Sequence, residues 1–220
     1  YLEAHHGVQV TRLSVDSSGR HDLDEVRAAI RTDTTLVSVM LANNEIGNVN
    51  DVAAIAELAH ACGATVHCDA VNALGKITVD VDALGIDMLS ISAHKICGPK
   101  GVGALFVRRK TPFEPYLRGG GQERGRRCGT YNAAGIVGFG AAARLAKEDL
   151  GSGHAVRMGS LRDRLESRLL ASIDGVERNG DPDGRLPNTS NLSFADVDGE
   201  ALVLNLDLRG IAISTGSACT

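Results

Sequence analysis

Ala64-Thr65-Val66-His67-Cys68-Asp69 and Met88-Leu89-Ser90-Ile91-Ser92-Ala93-His94-Lys95 decide the fold. Each holds a short strand-like run, Ala64 to Cys68 and Met88 to Ile91, that passes directly into polar residues. A third run, Thr35-Leu36-Val37-Ser38-Val39-Met40-Leu41-Ala42, is apolar almost throughout and ends in Asn43-Asn44-Glu45. Runs of this kind are expected of central parallel strands covered on both faces. Ahead of Ala64, Asp51 suits a helix N-cap, Val52, Ile55, Leu58 and Ala59 recur on one helical face, and Gly63 suits a left-handed terminator. Strand, helix and strand in this order predict an α/β protein with a mostly parallel sheet. Polar residues at the carboxyl ends of successive strands predict one shared ligand crevice.

Working outward, Gly101 to Arg108 reads as a further strand, antiparallel or at an edge because only a short turn precedes it. Val8 to Val15 reads as a strand, and a helix with Leu23, Val26 and Ile30 follows the N-cap Asp22. Beyond the polar Arg118 to Thr130 loop, two long helices are expected, Ala133 to Leu150 and about Val156 to Ile173. The second is patterned on Met158, Leu161, Leu165, Leu169 and Leu170. Gly151-Ser152-Gly153 is the best boundary, dividing a large unit, residues 1–150, from a smaller α+β unit, residues 151–220. Strands at Gly175 to Arg178, Ser190 to Phe194 and Ile211 to Ser214 and a helix at Gly199 to Leu208 fill the smaller unit.

The chain has 220 residues, 43% of them hydrophobic, enough to bury a sizeable core. Its net charge of -4 gives no global reason to seek a nucleic acid or an anionic membrane. No apolar run nears the roughly 18 residues that span a bilayer. The five cysteines, Cys62, Cys68, Cys97, Cys128 and Cys219, show no CxxC spacing, which argues against a disulfide framework or a zinc site and for a reducing, cytoplasmic compartment. Cys62 and Cys68 read as core. The opening on Tyr1 and the stop at Thr220 suggest a segment of something longer.

Lys95 directly follows a strand, where desolvation would free its amine for a Schiff base with an aldehyde cofactor; a surface lysine in a turn is the plain alternative. Asp69 could cap a helix, or could pair with a pyridinium nitrogen and keep it protonated. Asn43-Asn44-Glu45-Ile46-Gly47 offers amide donors at the same edge, or is an ordinary turn. The Gly119 to Thr130 loop concentrates backbone donors and guanidinium groups that suit a phosphate, although alone it could equally be an RGG-like nucleic-acid contact. Cys219 in Ser217-Ala218-Cys219 is a nucleophile on an exposed loop or a spare thiol.

Taken in order, Ala42-Asn43-Asn44-Glu45-Ile46-Gly47, His67-Cys68-Asp69-Ala70, Ser92-Ala93-His94-Lys95, Gly98-Pro99-Lys100-Gly101, Gly119 to Gly125 and Ser217-Ala218-Cys219-Thr220 closely resemble the NifS/IscS type of pyridoxal-phosphate cysteine desulfurase. The resemblance implies a fold-type I, aspartate-aminotransferase-like homodimer in the class V aminotransferase family, which takes sulfur from L-cysteine, leaves alanine, and passes the sulfur as an enzyme persulfide to an acceptor protein. It implies Lys95 as the cofactor lysine and later proton carrier, Asp69 as the ring-nitrogen partner and Asn44 near the ring oxygen. Ser92 and His94 would contact the phosphate, His94 also serving catalysis, and Thr130 would contact the phosphate of the neighbouring subunit. Cys219 would attack the substrate sulfur.

Two departures stand out. Asn72 occupies a position where the family has Gln, one methylene longer, so its contact to the ring oxygen would need a water. The family also has a long N-terminal part with a phosphate cradle and a ring-stacking His, and a later arginine for the substrate carboxylate. Without them this segment is expected to be catalytically impaired, or to represent only part of a full-length enzyme. Selenocysteine lyase or another class V relative, and a non-catalytic sulfur-relay scaffold, are the competing expectations. No metal, membrane or direct nucleic-acid partner is expected.

Overall fold

The computed structural model describes residues 1–216. Its centre is a four-stranded sheet in the order β1-β2-β3-β4, with β1 Leu36–Met40, β2 Thr65–Asp69, β3 Met88–Ser92 and β4 Gly103–Val107. β1, β2 and β3 run parallel and β4 antiparallel at the edge, as the short turn before it requires. Helix α3, Val52–Ala61, makes the crossover from β1 to β2; Asp51 caps it by accepting the Ala54 N–H at 3.1 Å. Its buried Val52, Ala56 and Ala59 join Val66, Cys68 and Leu89 in the main core. Residues alternate across a strand, so His67 and Asp69 lie on the other face of β2. Burial pushes the Cys68 thiol up to about 12, which makes it an inert core residue.

The short helices α1, Leu2–His6, and α2, Leu23–Ala29, precede the sheet. Val8 to Val15, expected as a strand, is irregular: Val8, Val10 and Val15 are exposed and no neighbouring strand pairs with them among the described residues. A β-strand draws its stability from a ladder partner, and alternation alone does not supply one. Ile211 to Ser214 is likewise not a strand. Cys62 is exposed at the C-cap of α3, not in the core.

After a small ribbon of β5, Gly121–Gln122, and β6, Arg127–Cys128, come α4, Ala133–Gly151, and α5, His154–Ser172. Gly153, in the left-handed region at φ 80°, turns the chain between them. A two-stranded antiparallel sheet of β7, Val176–Arg178, and β8, Leu192–Phe194, and helix α6, Gly199–Asp207, follow. No helix among the described residues is long and apolar enough to cross a membrane.

The apolar stripe expected on α5 is not its buried face. Leu161 and Leu165 are exposed, and the buried residue is Glu166, 1% exposed, which forms a two-pronged ion pair with Arg185. The segment carrying Arg185 binds the β1–α3 loop through Leu186 N–H to Gly47 O and Val49 N–H to Gly184 O, both 2.8 Å. Asn48, 2% exposed, completes the link by donating to Ser18 O at 2.6 Å and accepting the Asp181 N–H at 2.8 Å.

Burial pushes the Glu166 carboxyl up, but hydrogen bonds from Arg185 and Ser190 outweigh it and hold the group below its ordinary value. A carboxyl depressed in the folded state contributes stability that is complete above its unfolded pKa and is lost as pH falls through the folded one. Glu166→Gln strands the Arg185 charge in the interior and is expected to cost about 3–5 kcal/mol at neutral pH. Urea denaturation across a pH series should show that deficit shrinking as the medium becomes acidic.

Candidate active site at the carboxyl ends of the strands

Three parallel strands in register end on one edge, and each delivers a polar group there. β2 ends on Asp69, whose Oδ1 accepts the Val71 N–H at 2.9 Å, fixing the carboxylate over the following turn. β3 ends on Ser92, whose hydroxyl lies 2.7 Å from Nδ1 of His94. The 3₁₀ turn Ala93–Ile96 then presents His94 and Lys95. Beyond β1, Asn43 accepts the N–H groups of Glu45 and Ile46 at 2.8 and 3.0 Å, and Asn44 donates to Glu45 Oε1 at 3.3 Å.

The turn of Lys95 is seated from below. Ala93 and Ile96 pack with Phe139 and Ala142 of α4, so the two residues between them point outward. Gly98 closes the turn by donating its N–H to Ala93 O at 2.8 Å. A Cβ at Gly98 would come 2.9 Å from that same oxygen, so only glycine fits there. Because the first and last residues of the turn serve packing, Lys95 is exposed, contrary to the desolvated amine expected after a buried strand.

The half-buried lysine is Lys76, which donates from Nζ to the main-chain oxygen of Lys95 at 3.2 Å. Burial, and after it the Lys95 charge, lower its ammonium pKa from the ordinary lysine value, while Cys97 opposes them. Nothing in the local pattern flags Lys76, because the contact joins residues far apart along the chain. The loop of Asn44 is held from outside: Asn191 Nδ2 donates to Glu45 O at 3.2 Å. Gly47, at φ 77°, passes so close to Thr189 that a Cβ would sit 2.7 Å from it.

The structure thus gathers Asp69, Ser92, His94 and Lys95 at the ends of adjacent strands, with Asn44 at the end of the next. Asn72 is half-buried in the turn behind Asp69. Thr130 is exposed just beyond β6, on the ribbon segment and not on this edge. Cys219 lies outside the described residues. The donor set suits pyridoxal phosphate: a carboxylate for a protonated ring nitrogen, a coupled hydroxyl and imidazole for phosphate oxygens, and an amine for the aldehyde.

A family model for aminotransferase class-V matches residues 1–220. The chain is 52% identical to a cysteine desulfurase of Cereibacter sphaeroides over 220 residues, covering 100% of this chain and 56% of that protein. It is 53% identical to a cysteine desulfurase of Klebsiella pneumoniae over 215 residues, covering 97% and 53%. Among solved structures, a NifS-like protein superposes with a TM-score of 0.91 at 39% identity, covering 96% of this chain and 58% of that one. DndA from Streptomyces lividans does so at 0.81 and 40%, covering 93% and 58%. The chain spans about half the length of the curated relatives it matches.

Competitive acetylation of the chain without cofactor should place the Lys76 midpoint below the ordinary lysine value, and Lys95→Met should raise it by removing a cationic neighbour. A Lys76 midpoint left unmoved by Lys95→Met would mean that the two amines do not sense one another.

Proposed function

The chain belongs to the aminotransferase class-V family, and we propose that it is the part of a cysteine desulfurase carrying the cofactor lysine, Lys95, and the sulfur-accepting Cys219. The observation that carries this reading is the convergence of Asp69, the Ser92–His94 pair and Lys95 on adjacent strand ends. Identity near 50% to cysteine desulfurases over the whole chain supports it. Residues 1–150 would form part of the cofactor-binding unit and 151–220 part of the smaller one.

When bound, pyridoxal phosphate supplies an electron sink conjugated to the substrate Cα. Asp69 would hold the ring nitrogen and Asn44 would approach the ring oxygen, with Asn72 reaching it through a water. Ser92 and His94, joined to one another at 2.7 Å, would grip the phosphate. Lys95, exposed on its turn, is free to swing: its amine takes the proton from Cα of L-cysteine and later returns a proton to the product carbon.

The Cys219 thiolate attacks the substrate sulfur. An S–S bond forms as the C–S bond breaks, the carbon keeps the electron pair, and protonation yields L-alanine. The sulfur remains as a persulfide for an acceptor, in iron-sulfur assembly, tRNA or cofactor thiolation, or DNA phosphorothioation. The enzyme would act as a cytoplasmic homodimer, in which Thr130 of each chain reaches the phosphate of the other.

Borohydride reduction of the chain mixed with pyridoxal phosphate should fix a pyridoxyl group on Lys95, and Lys95→Arg should abolish the labelled peptide. Label spread evenly over the other lysines would overturn the assignment. Cys219→Ser should leave that labelling intact and, introduced into a full-length enzyme that contains this segment and forms alanine from L-cysteine, should abolish that formation. Alanine formed at the unaltered rate would refute the persulfide role.

A further inference from the structure

On the sheet face that carries Asp69, three side chains from three strands are hydrogen bonded in a row. Ser38 Oγ of β1 lies 2.8 Å from Nδ1 of His67, and Nε2 of the same ring lies 2.8 Å from Ser90 Oγ of β3. His67 is half-buried two residues before Asp69 on β2, and Ser90 is the register partner of Asp69. None of the three belongs to the donor set described above.

A neutral imidazole has one N–H and one lone pair, so one serine accepts from it and the other donates to it. A hydroxyl rotates to suit either role. An added proton makes both ring nitrogens donors, and each serine can then accept, so the row takes up a proton without losing a hydrogen bond. Burial opposes the charge and holds His67 below its ordinary value, while the Asp69 carboxylate pulls it back up. Asp69, from its own strand, is the charged group that acts on the ring among the described residues, with Ser38 facing it from β1 and Ser90 from β3.

We propose that the Ser38–His67–Ser90 row is a positioning network for Asp69: neutral His67 leaves the carboxylate committed to the cofactor ring nitrogen, and protonated His67 draws that carboxylate toward itself, setting the acid limit of the site. The proposal rests on Asp69 as the ring-nitrogen partner. His67 acts through Asp69 and touches no reacting atom.

The first test needs no cofactor. In a nitrogen-15 NMR pH titration of the 220-residue chain, His67 should titrate below the ordinary histidine range, and Asp69→Asn should move its midpoint to still lower pH. A midpoint unmoved by Asp69→Asn overturns the coupling. The second test follows the visible band of the chain loaded with pyridoxal phosphate as pH falls. An acid transition should occur in the unaltered protein and be lost in His67→Gln, whose amide can bridge two hydroxyls but takes no proton in this range. Its persistence in His67→Gln overturns the proposal. Absence of any visible band in the unaltered chain counts against the proposed function instead, and the NMR titration then decides the network by itself.

Discussion

Parallel pairing of β1, β2 and β3 is the constraint on which the rest depends. Three segments separated by crossovers are brought level, Met40 beside Asp69 and Asp69 beside Ser90, so whatever residue follows each strand is delivered to one edge. The apolar alternation that buries Val66, Cys68 and Leu89 under α3 sends His67 and Asp69 to the opposite face. A slip of one residue would exchange the two sets, placing a carboxylate in the core and valine at the site. The register that builds the core therefore also aims the chemistry.

Two supports hold that edge in place from outside the sheet. Helix α4 carries the turn of Lys95 on Phe139 and Ala142. The segment around residues 180–191, anchored by the buried Glu166–Arg185 pair, grips the loop of Asn44 through main-chain hydrogen bonds. Such a pair is weak evidence of net stability, since replacing both partners by apolar groups can be neutral. Its geometry nonetheless fixes where the loop enters the site, which joins the C-terminal part of the chain to the cofactor edge.

Much of this was legible from the sequence, because strands buried on both faces read as apolar runs and polar residues stop them abruptly. Thr35 to Ala42, Ala64 to Cys68 and Met88 to Ile91 carry that signal, and Gly101 to Arg108 betrays its direction by the short turn before it. Val8 to Val15 misleads because alternation states a preference and not a partner. The exposure of Lys95 was hidden as well, since it depends on which residues of its turn α4 takes for packing. Lys76, Glu166 and the Ser38–His67–Ser90 row act through contacts across the chain, and no local window contains both ends of such a contact.

The most direct test of the shared crevice is an electron-density map of the chain crystallised with pyridoxal phosphate. Density continuous with Nζ of Lys95, with the ring nitrogen on Asp69 and the phosphate against Ser92 and His94, is the expected result. Cofactor density on another lysine, or a ring turned away from Asp69, would contradict the assignment of these strand ends as one site.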